Sequence, residues 1–223
     1  MTSPQVALIA DDDEFFRMAL SAILVGQLGF AEVIETASLD EAVEKLSSRA
    51  DISLALFDLG MPGMESPANL RAVRDCFETL RVAVVSGSQS RDDVLSALAA
   101  GVHGYVPKGL GVSELAQALK LIIDGVIYVP PCVAVLPAGA VIGPIAAGRL
   151  ASSPGATLDI LTPRQRSVLT LLVQGQSNKA IARDLQLGEG TVKVHMAALF
   201  RSLGVKTRTA AAVAGGRLHP PAS

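Results

Sequence analysis

The chain of 223 residues is longer than one typical domain and fits two modest domains better than one large one. Half of its residues are apolar and 18% are charged, which excludes a disordered chain and describes a globular one. The formal charge of -2 conceals two halves of opposite sign: residues 1–155 hold 10 Lys+Arg against 18 Asp+Glu, and residues 156–223 hold 9 against 3. A small basic segment is an electrostatic footprint for nucleic acid, whereas an acidic one suits solubility or a bound cation.

Residues 5–124 alternate β-rich runs with amphipathic helical stretches. The pattern predicts strands at 5–10, 31–36, 53–58, 81–86 and 104–107, and helices near 14–26, 39–48, 67–77, 91–100 and 113–124. Ser38 followed by Glu41 is a capping-box start for the second helix. The runs "VALI" and "VAVV" are apolar at successive positions, as in strands buried on both faces. Strand and helix in repeated alternation argue for an α/β architecture with a parallel sheet covered on both sides.

Ligands of such open sheets collect outside the carboxyl ends of the strands. The first strand runs into Asp11, Asp12 and Asp13, the third into Asp58 and the fourth into Ser86, and Lys108 follows the fifth. Adjacent carboxylates repel one another and are costly to desolvate unless a cation or protons neutralise them. A hard divalent ion with oxygen ligands, such as Mg²⁺, is the simplest neutraliser. Taken alone, the three acids at 11–13 equally suit the positive N-terminal end of a helix. The recurrence of polar groups at the other strand ends is what favours a site.

The stretches "IADDDEFFR", "LFDLGMPG", "VVSGS" and "GYVPKG", in this order and spacing, resemble the receiver domain of bacterial two-component response regulators, with its flavodoxin-like, doubly wound, five-stranded parallel fold. The resemblance implies that Asp58 accepts a phosphoryl group from a histidine kinase, with Mg²⁺ held by Asp11, Asp12, Asp58 and the Gly60 carbonyl. It further implies a cationic role for Lys108, a hydroxyl contact from Ser86, and an aromatic switch at Tyr105 that turns inward when Ser86 moves. Asp13 stands where related chains often carry histidine.

Past residue 126 the composition changes. The 128–148 segment is free of charge over a length that could nearly span a bilayer, but Pro130, Pro131, Pro137 and Pro144 would break a spanning helix repeatedly. An extended, partly buried linker is the expectation. Cys76 and Cys132 show no CxxC spacing and read as buried structural thiols. The first residues show no basic region ahead of their apolar run, so no secretion signal is expected and a cytoplasmic setting is.

Residues 158–218 read as four helices. Thr162, Pro163 and Gln165 open the first with an N-cap, a first-turn proline and a capping-box partner, and Gly175 stops it. Ser177 caps the second, which runs to Leu185. The third spans about 191–203, with Val192, Met196, Leu199 and Leu203 on an inward stripe and Val194, Ala197 and Arg201 opposite, towards solvent. Thr207 caps the last. A helix delivered by a tight turn and presenting such a face suits the major groove.

The stretch from Leu161 to Thr209 closely resembles the helix-turn-helix output domain of LuxR/FixJ/NarL-type regulators. That resemblance implies base contacts from Lys193, Val194 and position 197, with Arg201 on the same face, and phosphate contacts from Ser177, Asn178, Lys179 and Thr191. Gln165 replaces the family's usual glutamate. Ala197 stands where related proteins can carry lysine.

The sequence therefore describes a receiver domain over 1–126, an apolar linker over 127–155 and a four-helix, all-α DNA-binding domain over 156–223. The expected function is transcriptional control by phosphoryl transfer from a sensor kinase, with homodimerisation on phosphorylation and no membrane partner. It is not expected to be an enzyme beyond accepting a phosphoryl group and slowly losing it. A receiver controlled by a protein partner or ligand without phosphorylation is the alternative. A haloacid-dehalogenase-like phosphatase is disfavoured, because it would need a second aspartate where Gly60 stands.

Overall fold

A computed structural model describes residues 5–64, 67–133 and 161–218. The first part holds strands β1 (Val6–Ala10), β2 (Glu32–Thr36), β3 (Ile52–Phe57), β4 (Arg81–Ser86) and β5 (Tyr105–Pro107). Between and after them run helices α1 (Glu14–Gly26), α2 (Leu39–Ser48), α3 (Pro67–Cys76), α4 (Arg91–Ala99) and α5 (Val112–Ile123). All strand pairs are parallel, in the order β2-β1-β3-β4-β5. Every residue of β1 is buried, as its continuous apolar run demands of a central strand.

Two apolar layers cover the sheet. Leu8, Phe57, Val82 and Val84 pack with α2, α3 and α4, while Ile9, Leu56, Ala83 and Val106 pack with α1 and α5. The chain runs from β1 out to β2 on one side and returns to β3 on the other, so the sheet's winding reverses between the ends of β1 and β3. Backbone bonds continue the ladder past those ends: Asp11 N–H donates to Thr36 O at 3.0 Å, Asp58 N–H to Ala10 O at 2.8 Å and Lys108 N–H to Ser86 O at 2.8 Å. The polar residues that follow the strands are thereby fixed to the sheet.

The beginning of the expected linker is docked. Tyr128 forms a parallel bridge with Gly104, and its carbonyl accepts the Tyr105 N–H at 3.0 Å. A side chain at Gly104 would collide with Ile122, and β5 opens at Tyr105, one residue later than its sequence suggests. Cys132 and Val133 lie against the α4 side of the core. Most of the 128–148 segment lies outside the described residues. Among the described residues no helix is long and apolar enough to cross a membrane. The expectation of buried cysteines fails: Cys76 is exposed and Cys132 half-buried.

The second part consists of α6 (Pro163–Val173), α7 (Asn178–Leu185), α8 (Glu189–Ser202) and α9 (Arg208–Leu218) around Leu169, Leu172, Ile181, Val192, Met196 and Leu199. The capping box of α6 is complete: Gln165 N–H donates to Thr162 Oγ1 and Thr162 N–H to Gln165 Oε1. Gln186 ends α7 with a φ of 56° and Gly188 caps α8, so α8 starts two residues before the expected Thr191. This helix lies against α2 and α3 of the first part. A β-carbon on Gly190 would overlap the Ser47 side chain, which shows how closely α8 and α2 approach.

Candidate functional site

At the carboxyl end of the sheet, Asp11, Asp12 and Asp58 offer carboxylate oxygens within 4.8 Å of one another. Asp11 and Asp58 are buried and Asp12 is exposed. Lys108 Nζ lies 2.7 Å from Asp11 and 3.5 Å from Asp58, over the Phe16 ring at 4.8 Å. Asp11 also accepts the Asp13 N–H at 2.9 Å, while Asp13 accepts Phe16 N–H and so caps α1. The reading of 11–13 as either metal ligands or helix start thus divides by residue: Asp13 caps, and the other two face Asp58.

Burial raises the Asp58 pKa, and the neighbouring Asp11 charge adds to it against the opposing Lys108 charge. Burial pulls the Lys108 ammonium down, but its bond to Asp11 and the charges of Asp58 and Asp11 outweigh that and hold it protonated. Gly60 sits so close that a β-carbon there would lie 3.1 Å from Asp58 Oδ2. The donor set is all oxygen around a surplus of negative charge, which fits a hard divalent cation.

Ser86 is buried, and its Oγ accepts the Ser88 N–H at 3.2 Å. Tyr105 stands inward in this structure. Its ring is fully buried and its hydroxyl donates to Ser88 O at 2.8 Å, because the β4–α4 loop offers that carbonyl directly above β5. Asp58, Ser86, Lys108, Asp93 and Ser96 line a cavity of about 580 Å³.

The expected nucleic-acid face is differently placed. Lys193, Ser177 and Lys179 are exposed and Asn178 half-buried, its Oδ1 accepting from Arg208 at 3.0 Å. Thr191 and Val194 are each only 1% exposed, so the expectation that this side of α8 meets solvent is corrected. Val194 and Ala198 join the apolar layer over α2 and α3, Ala197 packs beside them, and Arg201 pairs with Asp75. The physical reason is apolar burial: α8 carries apolar residues on two sides, and the receiver covers the second.

Residues that sequence reasoning did not single out hold this seam. Asp40 accepts from His195 Nε2 at 2.6 Å and from Arg164 at 2.8 Å and 2.9 Å. Burial raises the Asp40 pKa, but the bonds and charges of His195 and Arg164 outweigh it and hold the carboxyl below its ordinary range. His195 is 1% exposed, and its Nδ1 has no partner among the described residues. The second apolar side of α8 was the available signal; Asp40 reads from sequence only as an acid in a helix's first turn.

Comparison with known proteins agrees with both halves. The response regulator receiver domain matches residues 7–120, and the luxR family of bacterial regulatory proteins matches residues 159–214. The chain is 35% identical to a glycerol metabolism activator of Pseudomonas putida and 31% identical to the nitrate/nitrite response regulator NarL of Escherichia coli, over 94% of each chain in both cases. The solved RcsB response regulator of Salmonella typhimurium shares the fold at a TM-score of 0.56 and 19% identity, over 95% of this chain and 98% of that one. The chain therefore belongs to the LuxR/NarL family of two-component response regulators, with a receiver domain joined to a helix-turn-helix DNA-binding domain.

Proposed function

We propose that phosphoryl transfer from a sensor histidine kinase to Asp58 converts this DNA-binding regulator from a closed form, in which the receiver covers helix α8, to an open one. The burial of Val194, at 1% exposure, against the receiver carries this reading. The side of α8 that carries Val194 cannot meet base edges while it packs on the receiver. The domain limits proposed from sequence, 1–126, 127–155 and 156–223, put α8 and its covering surface on opposite sides of the linker.

In the transfer, an Asp58 carboxylate oxygen attacks the phosphorus of a phosphohistidine. The new P–O bond forms as the P–N bond breaks, and the departing imidazole takes a proton from solvent. Lys108 and Ser86, which line the cavity beside Asp58, would stabilise the charge on the phosphoryl oxygens. Asp11, Asp12, Asp58 and the Gly60 carbonyl would hold a divalent cation such as Mg²⁺, which supplies further positive charge there. Attack of water on the acyl phosphate returns Asp58 to the carboxylate.

In the open form Lys193, Val194, Ala197 and Arg201 face base edges, while Ser177, Asn178, Lys179 and Thr191 position the domain on phosphates. Dimerisation of phosphorylated chains places two such domains on neighbouring half-sites and raises the effective affinity. The test is intact mass after incubation with Mg²⁺ and a small phosphoryl donor, followed by DNA titration at fixed salt. Wild type gains one phosphoryl group and binds more tightly, and Asp58→Asn does neither. A folded wild type that gains no mass would hand control to a partner instead.

A further inference from the structure

We infer that the buried amide pair of Asn69 and Gln165 is the latch between the loop after Asp58 and the output domain, and that it requires glutamine rather than glutamate at position 165. The inference rests on the reading above that the closed form masks α8.

Both amides are oriented by backbone groups with a single hydrogen-bonding sense. Thr162 N–H can only donate, and it lies 3.1 Å from Gln165 Oε1, so Gln165 Nε2 must point the other way. It donates to Asn69 Oδ1 at 3.2 Å. Gly63 carbonyl can only accept, and it takes Asn69 Nδ2 at 2.7 Å, which fixes the Asn69 oxygen towards Gln165. Both side chains are 0% exposed, so water does not replace either bond.

The chain of bonds leads to the turn that follows the acceptor. Gly63 belongs to the turn that follows Asp58 and Gly60, where its φ of +88° favours glycine. The neighbouring Pro62 carbonyl accepts the Leu39 N–H at 3.0 Å, at the start of the helix whose Asp40 holds His195 and Arg164. The same turn is thus tied to α2 through Pro62 and, through Gly63 and Asn69, to α6 of the output domain.

A glutamate at 165 would complete the capping box equally well, because only an oxygen is needed for the Thr162 N–H. Its second oxygen would then meet Asn69 Oδ1, acceptor against acceptor, with a charge in a buried place. Reversing the Asn69 amide does not relieve this, because its oxygen would then face the Gly63 carbonyl. Position 165 therefore leaves the helix indifferent and makes the domain contact selective. Arg164–Asp40 and Arg201–Asp75 are ion pairs, whereas the amide pair is neutral and insensitive to salt.

The experiment compares full-length, unphosphorylated wild type with Gln165→Glu and Asn69→Ala, using small-angle scattering for domain separation, DNA titration at fixed salt and far-UV ellipticity for helix content. Gln165→Glu should keep its helix content, since the capping box survives, yet increase the radius of gyration and bind DNA about tenfold more tightly. Asn69→Ala should open the chain in the same direction by roughly threefold, because it leaves the Gln165 amide buried without an acceptor. If either variant is folded and as closed as wild type, the latch is overturned. If both open while DNA affinity stays unchanged, the latch stands and the masking of α8 is what falls.

Discussion

Two constellations in this molecule pair carboxylates with cations, and they are balanced in opposite ways. At the sheet end, Asp11, Asp12 and Asp58 face one ammonium, Lys108. At the seam, the single carboxylate of Asp40 faces both Arg164 and His195. Burial acts on Asp58 and Asp40 alike, but it prevails at Asp58, whose pKa rises, and loses at Asp40, whose pKa falls. A site short of cations favours a bound metal ion. A carboxylate whose partners come from another domain is satisfied only while that domain stays in place.

The comparison can be broken first at the cleft. Lys108→Ala should slow phosphorylation of Asp58 by about 100-fold, as expected for loss of a charge aimed at the transferring group. It should also raise the pH at which Asp58 becomes competent, because the partner that opposes burial is gone. Phosphorylation rate against pH, followed by intact mass, reads both. An unchanged profile would show that Lys108 serves Asp11 alone.

At the seam, Asp40→Ala leaves Arg164 and the buried His195 without their acceptor. We expect it to weaken closure by about 2 kcal/mol, roughly 30-fold in the ratio of closed to open chains. Scattering and DNA titration of the unphosphorylated protein check this. Acid should act in the same direction. A depressed carboxyl contributes its stabilisation fully above its ordinary value of 3.8 and loses it as pH falls through the lower folded value. Domain separation that depends on Asp40 should accordingly begin only below about pH 4, and a wild-type seam that opens at pH 6 would count against Asp40 as its determinant.

The smallest effect is expected at Tyr105→Phe, which removes one bond to Ser88 O and leaves the ring in place. A loss of about 1 kcal/mol in receiver stability is expected, measured by denaturant unfolding. A larger loss, with the DNA affinity of the unphosphorylated chain also changed, would show that this hydroxyl links the β4–α4 loop to the seam.

The receiver was legible in the sequence because its signals are local. Continuous apolar runs define the strands, and Asp11, Asp58, Ser86 and Lys108 stand where those runs stop. The output helices were legible from Thr162, Ser177 and Thr207, whose side chains cap them as expected. What escaped was long-range. A face of Val194, Ala197 and Arg201 looks the same in sequence whether it is meant for a base edge or for another domain. Asn69 and Gln165 are 96 residues apart, and no periodicity links them. The inward position of Tyr105 depends on where one loop carbonyl points, which no pattern encodes.

The packing of α8 on α2 and α3 has a thermodynamic consequence for its target as well. On the proposed reading a duplex and the receiver compete for one surface, so they are alternative ligands of the same helix. Linkage is reciprocal: whatever free energy phosphorylation lends to DNA binding, bound DNA must return to the phosphorylated form. A promoter then acts as an effector of the cleft at Asp58, and the equilibrium extent of phosphorylation depends on whether the protein is seated on its DNA.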